Sequence, residues 1–242
     1  PDVPIVVVLT GTDLYRDIAG NQAAQQSLEL ATRLVVLQPF GVHAVPDEYQ
    51  NKTVAILQSA KPPKVFRKPL KHNFEVTVIG NLRPVKDPFR TAMASRRLPD
   101  ASRIVVTHIG AALTPSMNTR ANREELINRR YTWRGSLTRH LTLKAIARSR
   151  LLVVSSKMEG GANVISEAIV AGTPVLSTHI SGSLGMLGKD YPGYFPIGDT
   201  AALAALLWQA ETDTNFYKQL RNHCLKRAKM FHPDKERKSL KQ

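Results

Sequence analysis

The chain is poor in cysteine, in aromatic residues, in acid and in long apolar runs. Its one cysteine, Cys224, excludes an intramolecular disulfide and a cysteine-rich zinc cluster, and points to a reducing cytoplasm. Aromatics make up 6% and do not interleave with the basic runs, which argues against a stacking platform for single-stranded nucleic acid. The longest apolar candidates, PIVVVLT (4–10) and LLVVSS (151–156), have the length of strands rather than of membrane spans. The opening Pro1-Asp2-Val3-Pro4 carries no Met, no basic leader and no signal-like stretch, and is read as the trailing part of a longer protein.

Acid is scarce relative to base. Nineteen Asp and Glu face 34 Lys and Arg, a net charge of +15, so an anionic partner is expected: nucleic acid or a phosphorylated small molecule. The excess is uneven. Residues 61–72 carry five cations and no acid, and the tail 218–242 carries nine cations against Asp234 and Glu236. The plain alternative is a basic, solvated surface. With 43% hydrophobic residues in 242, the chain can bury a full core, enough for one large or two modest domains.

Short β-branched runs alternate with stretches of helical period, the pattern of βαβ units. Strands are expected at 4–9, 34–37, 53–57, 75–79, 103–107, 151–154 and 174–177. Several are apolar on both faces, as in a parallel sheet covered by helices. Helices are expected at 21–33, 88–98, 138–149, 163–171, 200–211 and 213–231. Asn21 is a candidate N-cap, and Gly172 with Pro174 beyond it is a stop signal. The Pro/Lys-rich stretch 61–73 is the best boundary, giving a partial unit 1–73, a full nucleotide-type unit 74–210, and a final helix and basic tail 211–242.

Ligands of open parallel sheets collect beyond the C-terminal strand ends. Three such ends are unusual here. After 151–154 comes SSKMEGGANVISEA (155–168), where Gly160-Gly161 admits a ligand to the backbone and the helix that follows points its positive end at the same place. Glu159 and Glu167 flank that turn, eight residues apart, so they can grip polyols on either side of a phosphate. The spacing alone is weak, and an ordinary βα turn with an exposed Glu167 explains it equally well. After 75–79 comes Gly80-Asn81-Leu82-Arg83-Pro84-Val85-Lys86-Asp87-Pro88, a stiff loop whose Arg83 and Lys86 can neutralise phosphate without metal. The alternative is two solvated cations. After 4–9 comes Thr10-Gly11-Thr12-Asp13, which suits a small oxyanion with Arg16 as counter-ion, or else a tight turn that Asp13 caps locally.

Together, Gly80-Asn81-Leu82-Arg83, Lys86-Asp87, Glu159-x7-Glu167 and A-x-x-A-G-T-P-V (168–175) resemble the C-terminal domain of the large retaining group of GT-B glycosyltransferases over roughly 75–210. Three further stretches, VLTGTDLYRDI (8–18), SSKMEGGANVISEA and GSLGMLGKDYPGYFPIGD (182–199), resemble the selenosugar synthases of selenoneine biosynthesis, which join a UDP-sugar to selenophosphate. The resemblance implies an α/β fold of two Rossmann-like domains with parallel sheets, the N-terminal one incomplete. It implies that Arg83 and Lys86 hold the donor diphosphate, that Glu159 contacts the donor sugar and that Gly160, Gly161, Ala162, Asn163 and Val164 cradle the distal phosphate. Glu167 takes the ribose hydroxyls. Tyr131 to Leu137, with Arg134 and Ser136, falls where the family reads the base. In the family the leaving phosphate helps take up acceptor protons, so Asp13 and Arg16 would orient a small anionic acceptor rather than supply a base. Departing from the family, the chain lacks the Gly-rich loop that opens its N-terminal domain, which puts in doubt the activity of the chain by itself.

The remaining candidates are bland. His43, His72, His108, His140, His179, His223 and His232 form no HExxH-like pair, and no Asp-x-Asp is present, so neither a metal nor a cofactor is expected beyond the UDP-sugar itself as donor substrate. Two other readings stand beside the selenosugar synthase. One is a glycosyltransferase acting on a lipid or glycan, with the basic tail in weak association with a membrane surface. The other is a basic α/β module for nucleic acid, although no nucleic-acid partner is expected on the motifs.

Overall fold

The computed structural model describes residues 3–62 and 72–241. The chain runs β1 (Val6–Leu9), a π-helical turn (Asp13–Asp17), α1 (Ile18–Gly20), α2 (Gln22–Leu30), β2 (Arg33–Val36), a 3-10 stretch (Pro39–Ala44), α3 (Asp47–Gln50) and β3 (Thr53–Ala55). Then follow β4 (Phe74–Ile79), a 3-10 turn (Pro84–Lys86), α4 (Arg90–Ser95), β5 (Ile104–Ile109), α5 (Pro115–Ile127), β6 (Tyr131–Trp133), α6 (Arg139–Arg148) and β7 (Leu151–Val154). The rest is α7 (Asn163–Ala171), β8 (Val175–Thr178), α8 (Ser181–Leu187), β9 (Tyr194–Phe195), α9 (Thr200–Thr212), α10 (Thr214–Arg227), a 3-10 turn (Ala228–Phe231) and α11 (Pro233–Ser239). Among the described residues no helix is long and apolar enough to cross a membrane.

The strands form two sheets, one of three in the order β1-β2-β3 and one of six in the order β6-β5-β4-β7-β8-β9, with every pairing parallel. In the larger sheet the chain winds outward from β4 in one direction, then returns to start again at β7. That doubly wound order leaves a crevice at the C-terminal ends of β4 and β7, the switch point where ligands of such sheets bind. Both strands are buried along nearly their whole length; β7 (LLVV) is apolar throughout, whereas β4 (FEVTVI) also buries Thr77 and Glu75, the latter paired with Arg148. Val76, Val78, Leu152 and Val153 pack against Ile165 and Ile169 of α7 and Leu203 and Leu207 of α9 in one large core.

The smaller sheet is covered mainly on one face, while on the other only Val35 of its central strand is buried. Leu9, Leu34 and Val36 pack with Leu14, Ile18 and Leu28. On the other face Val6 and Val8 are 58% and 50% exposed, so β1 is not among the strands covered on both sides. Residues 63–71, the heart of the expected boundary, lie outside the described residues. Beyond them the tail closes onto the end of the first unit: the Ala60 N–H donates to the Phe231 carbonyl at 3.0 Å, and Ser59 donates through N–H and hydroxyl to Glu236.

Element ends follow local chemistry. Asn21 accepts from the Ala24 N–H as an N-cap of α2, which stops at Leu30 rather than 33 because Ala31 turns extended to begin β2. Gly172 ends α7 in a left-handed conformation at φ 76°, as its position before Thr173-Pro174 predicts. The last helical region divides at Arg227 instead of running unbroken to 231.

Candidate functional site

The site is assembled at the crevice, where the loops after β4 and β7 are stitched together. The Lys157 N–H donates to the Val85 carbonyl at 2.8 Å, and the Ser155 hydroxyl donates to the carbonyls of Lys86 and Asp87. Asp87 adopts the left-handed region at φ 43°, and its carboxylate is held by Arg90 at 2.7 Å. A stiff loop therefore carries Lys86 across to the β7 side. There the Lys86 ammonium forms an ion pair with Glu159 Oε1, and the Ser156 hydroxyl donates to the same oxygen at 2.5 Å. Arg83 opens the same turn and is exposed.

On the β7 side Ala162 offers no side-chain cap to α7, a nine-residue helix whose Ile165 N–H donates to the Ala162 carbonyl at 2.8 Å. The Asn163 and Val164 amides at its start therefore have no side-chain cap, and Val164 lines the crevice with Lys86 and Glu159. Glu167 lies one turn further on with its side chain 13% exposed, paired at 3.0 Å with Arg139 at the start of α6. Burial pushes the Glu167 carboxyl above the usual glutamate range, and Arg139 opposes that rise. The alternative of an exposed Glu167 is thereby removed. The segment expected to read a base leaves β6 with Arg134 and Ser136 exposed, and Arg134 lines a cavity of about 300 Å³ with Leu137, Leu141 and Lys144.

Gly160 and Gly161 have a second task. A Cβ at Gly160 would lie 2.5 Å from the Thr10 carbonyl carbon, and one at Gly161 would lie 2.6 Å from the Leu37 side chain. Both glycines thus let the strand ends of the smaller sheet close against the β7 loop. Thr10-Gly11 is brought beside Glu159-Gly160 in this way. Asp13 turns inward to its own loop, accepting from the Thr10 N–H at 2.8 Å and the Thr10 hydroxyl at 2.6 Å, which is the capping alternative for that turn. Arg16 is 69% exposed and pairs with Asp17. Tyr15 makes the bridge between the two units: its hydroxyl accepts from Gln38 at 3.1 Å and from Ser181 at 3.0 Å.

Three residues of this arrangement escape a reading of the sequence. Ser156 had a signal, since a serine three residues before a glutamate can donate to it. Arg139 had none, because its approach to Glu167 depends on how α6 packs beside α7. His108 was set aside with the other histidines, yet it lies under the site.

The family described as "Glycosyl transferases group 1" matches residues 62–229, a span that includes both loops and Glu159 to Glu167. No curated protein matches the chain. Among solved structures, Anabaena Alr3699/HepE in complex with UDP and glucose is similar at TM-score 0.80 and 17% identity, covering 99% of this chain and 71% of that one. The pneumococcal O-GlcNAc transferase GtfA, solved with UDP and GlcNAc, gives TM-score 0.76 at 16% identity over 98% of this chain and 51% of its own. A UDP-forming α,α-trehalose-phosphate synthase from Burkholderia vietnamiensis gives 0.79 at 14% identity, over 98% and 67%. At such identities the likeness is one of fold.

Proposed function

Because the chain belongs to the glycosyl transferases group 1 family, we propose that it transfers a sugar from a UDP-sugar to a small anionic acceptor, with selenophosphate as that acceptor and a selenosugar as product. The carrying observation is the meeting of Lys86, Glu159 and the uncapped start of α7 at one crevice. A nucleoside diphosphate sugar needs two things there: cations and amides for the diphosphate, and acceptor-only carboxylates for sugar and ribose hydroxyls. In the reaction the bond from the anomeric carbon to the phosphate oxygen breaks, its electrons leaving with UDP, while the acceptor selenium forms the new bond to that carbon. Attack of water on phosphorus then breaks the Se–P bond, releasing phosphate and leaving the selenium on the sugar. Charge grows on the departing diphosphate, and in this reading Lys86, Arg83 and the α7 amides stabilise it. Selenium is already a strong nucleophile, so the protein's work is positioning and leaving-group stabilisation. Thr10-Gly11 beside Glu159 is where the acceptor would lie, with Arg16 and Asp13 at its edge.

The test is mass spectrometry of the protein incubated with UDP-sugars and selenophosphate. A selenium-containing sugar product supports the reading, and UDP release without it refutes the acceptor. Calorimetry separates the donor half: Arg83→Ala is expected to weaken UDP binding roughly ten- to a hundredfold. Unchanged affinity with the fold intact would remove Arg83 from the donor site.

A lipid or glycan acceptor is the second reading, favoured by exposed Lys218, Arg221, Lys226 and Lys229 along α10 and its 3-10 extension. Co-sedimentation with anionic liposomes at low salt distinguishes it, since strong binding points to a membrane-bound acceptor.

A further inference from the structure

His108 joins two parts of the crevice that the sequence keeps far apart. It lies on β5 with no exposed surface, and both ring nitrogens are engaged. Nε2 is 3.0 Å from the Gly80 carbonyl oxygen, and Nδ1 is 3.0 Å from the Tyr131 hydroxyl. A carbonyl only accepts, so the proton sits on Nε2, and Nδ1 accepts from the tyrosine O–H. Gly80 opens the loop that carries Arg83 and Lys86. Tyr131 opens the segment that leads to Arg134 and Ser136.

The contact is built with little slack. A Cβ at Gly110 would lie 2.0 Å from the Gly80 oxygen, so only glycine lets that carbonyl approach. The His108 backbone carbonyl also accepts from the Arg134 N–H at 2.8 Å, tying the same residue to the second segment by main chain. The imidazole further lines a small void of about 20 Å³ shared with Lys86, Ser156, Glu159 and Val164. Burial lowers its pKa to about 4, which keeps the ring neutral and this tautomer in place near neutral pH.

We propose that His108 is a positioning residue of the donor site, its ring tying the Gly80–Lys86 loop to the Tyr131–Leu137 segment and so fixing the separation of the diphosphate and base subsites. The proposal rests on the glycosyltransferase reading above. It distinguishes ligands that span both subsites from ligands that occupy one. UDP should depend on His108, whereas inorganic pyrophosphate should not.

The experiment measures calorimetric affinities for UDP and pyrophosphate in the wild type, His108→Phe and His108→Gln, with melting temperatures alongside. His108→Phe should weaken UDP about tenfold or more while pyrophosphate changes less than roughly threefold. His108→Gln, whose amide can still donate to the Gly80 carbonyl, should recover most of the UDP affinity. Equal losses for the two ligands, or unchanged UDP affinity, overturn the assignment. Should the phenylalanine variant fail to fold, 15N spectra of the wild-type imidazole decide: the Nε2–H tautomer supports the proposal and the Nδ1–H tautomer overturns it. A wild type that binds no UDP overturns the donor reading itself. Wild-type binding with unchanged variants overturns only the role of His108.

Discussion

At the scale of single residues, the site holds two groups whose protonation is set by burial. Glu167 has its pKa raised, chiefly by loss of solvent and in part offset by Arg139. A carboxyl raised in the folded state favours folding below its unfolded pKa, and that advantage is lost as pH rises through the folded value. Glu167→Gln is therefore expected to melt above the wild type at neutral pH, with the gap closing as pH falls toward about 4. If Glu167 holds the ribose as proposed, the same variant should bind UDP roughly tenfold more weakly, because one acceptor for the diol has become a donor. A variant that melts below the wild type at pH 7 would sink the first expectation. His108 has the opposite sign. Its pKa falls from 6.5 unfolded to about 4 folded, so between those values the unfolded chain binds more protons and stability drops on acidification. Urea titrations from pH 7 to pH 4 should show that slope in the wild type and a flatter one in His108→Gln.

At the scale of elements, the decisive feature is close backbone approach between loops. Helix α8 begins with Ser181 and Gly182, and a Cβ at Gly182 would lie 2.1 Å from the Glu159 carbonyl oxygen. Gly185, one turn on, would meet the Gln38 amide at the same distance of 2.1 Å. These glycines weaken α8 as an isolated helix yet permit it to seat the Glu159 loop and the end of β2. Gly182→Ala is expected to cost about 1–3 kcal/mol, as overpacking does, and to shift the carboxylate away from Lys86. A lower urea midpoint with an unchanged slope, together with weaker UDP binding, would show it. A wild-type midpoint would mean that the loop has room to give. The same glycine pattern hid α8 from the sequence, since in SGSLGML two glycines and two serines outweigh the helix-forming Leu184, Met186 and Leu187. Helix α5 was missed for another reason: it buries only Ala121 and Glu124, so PSMNTRANREELI carries no apolar face. Strands β6 and β9, of three and two residues, are too short for a periodic signal.

At the scale of the whole molecule, the tail joins what the sequence separates. Glu236 accepts from Ser59, and Phe231 accepts from Ala60, so α11 rests on the end of the first unit. Glu236→Ala should raise hydrogen exchange at Ser59 and Ala60 and leave β4 and β7 protected; unchanged exchange at both would show that the clasp adds nothing. The four inner strands of the larger sheet, β4, β5, β7 and β8, were legible because burial on both faces enriches them in Val, Ile and Leu, although β4 also carries Glu75 and β5 His108. Helix α7 matched to the residue because Gly172 and Pro174 punctuate it locally. At Gly160 and Gly161 the sequence pointed to close approach by a ligand, and the structure brings Thr10 and Leu37 of the chain itself against them. What the sequence by itself determined is therefore the inner strands of a parallel sheet, helix α7 and the residue types that stand at the strand ends. Only the tertiary structure decided that Lys86 meets Glu159, that Arg139 meets Glu167, that Asp13 turns to Thr10 and that His108 spans Gly80 and Tyr131. Those pairings join residues on different elements, and no local propensity encodes the distance at which two elements come to rest.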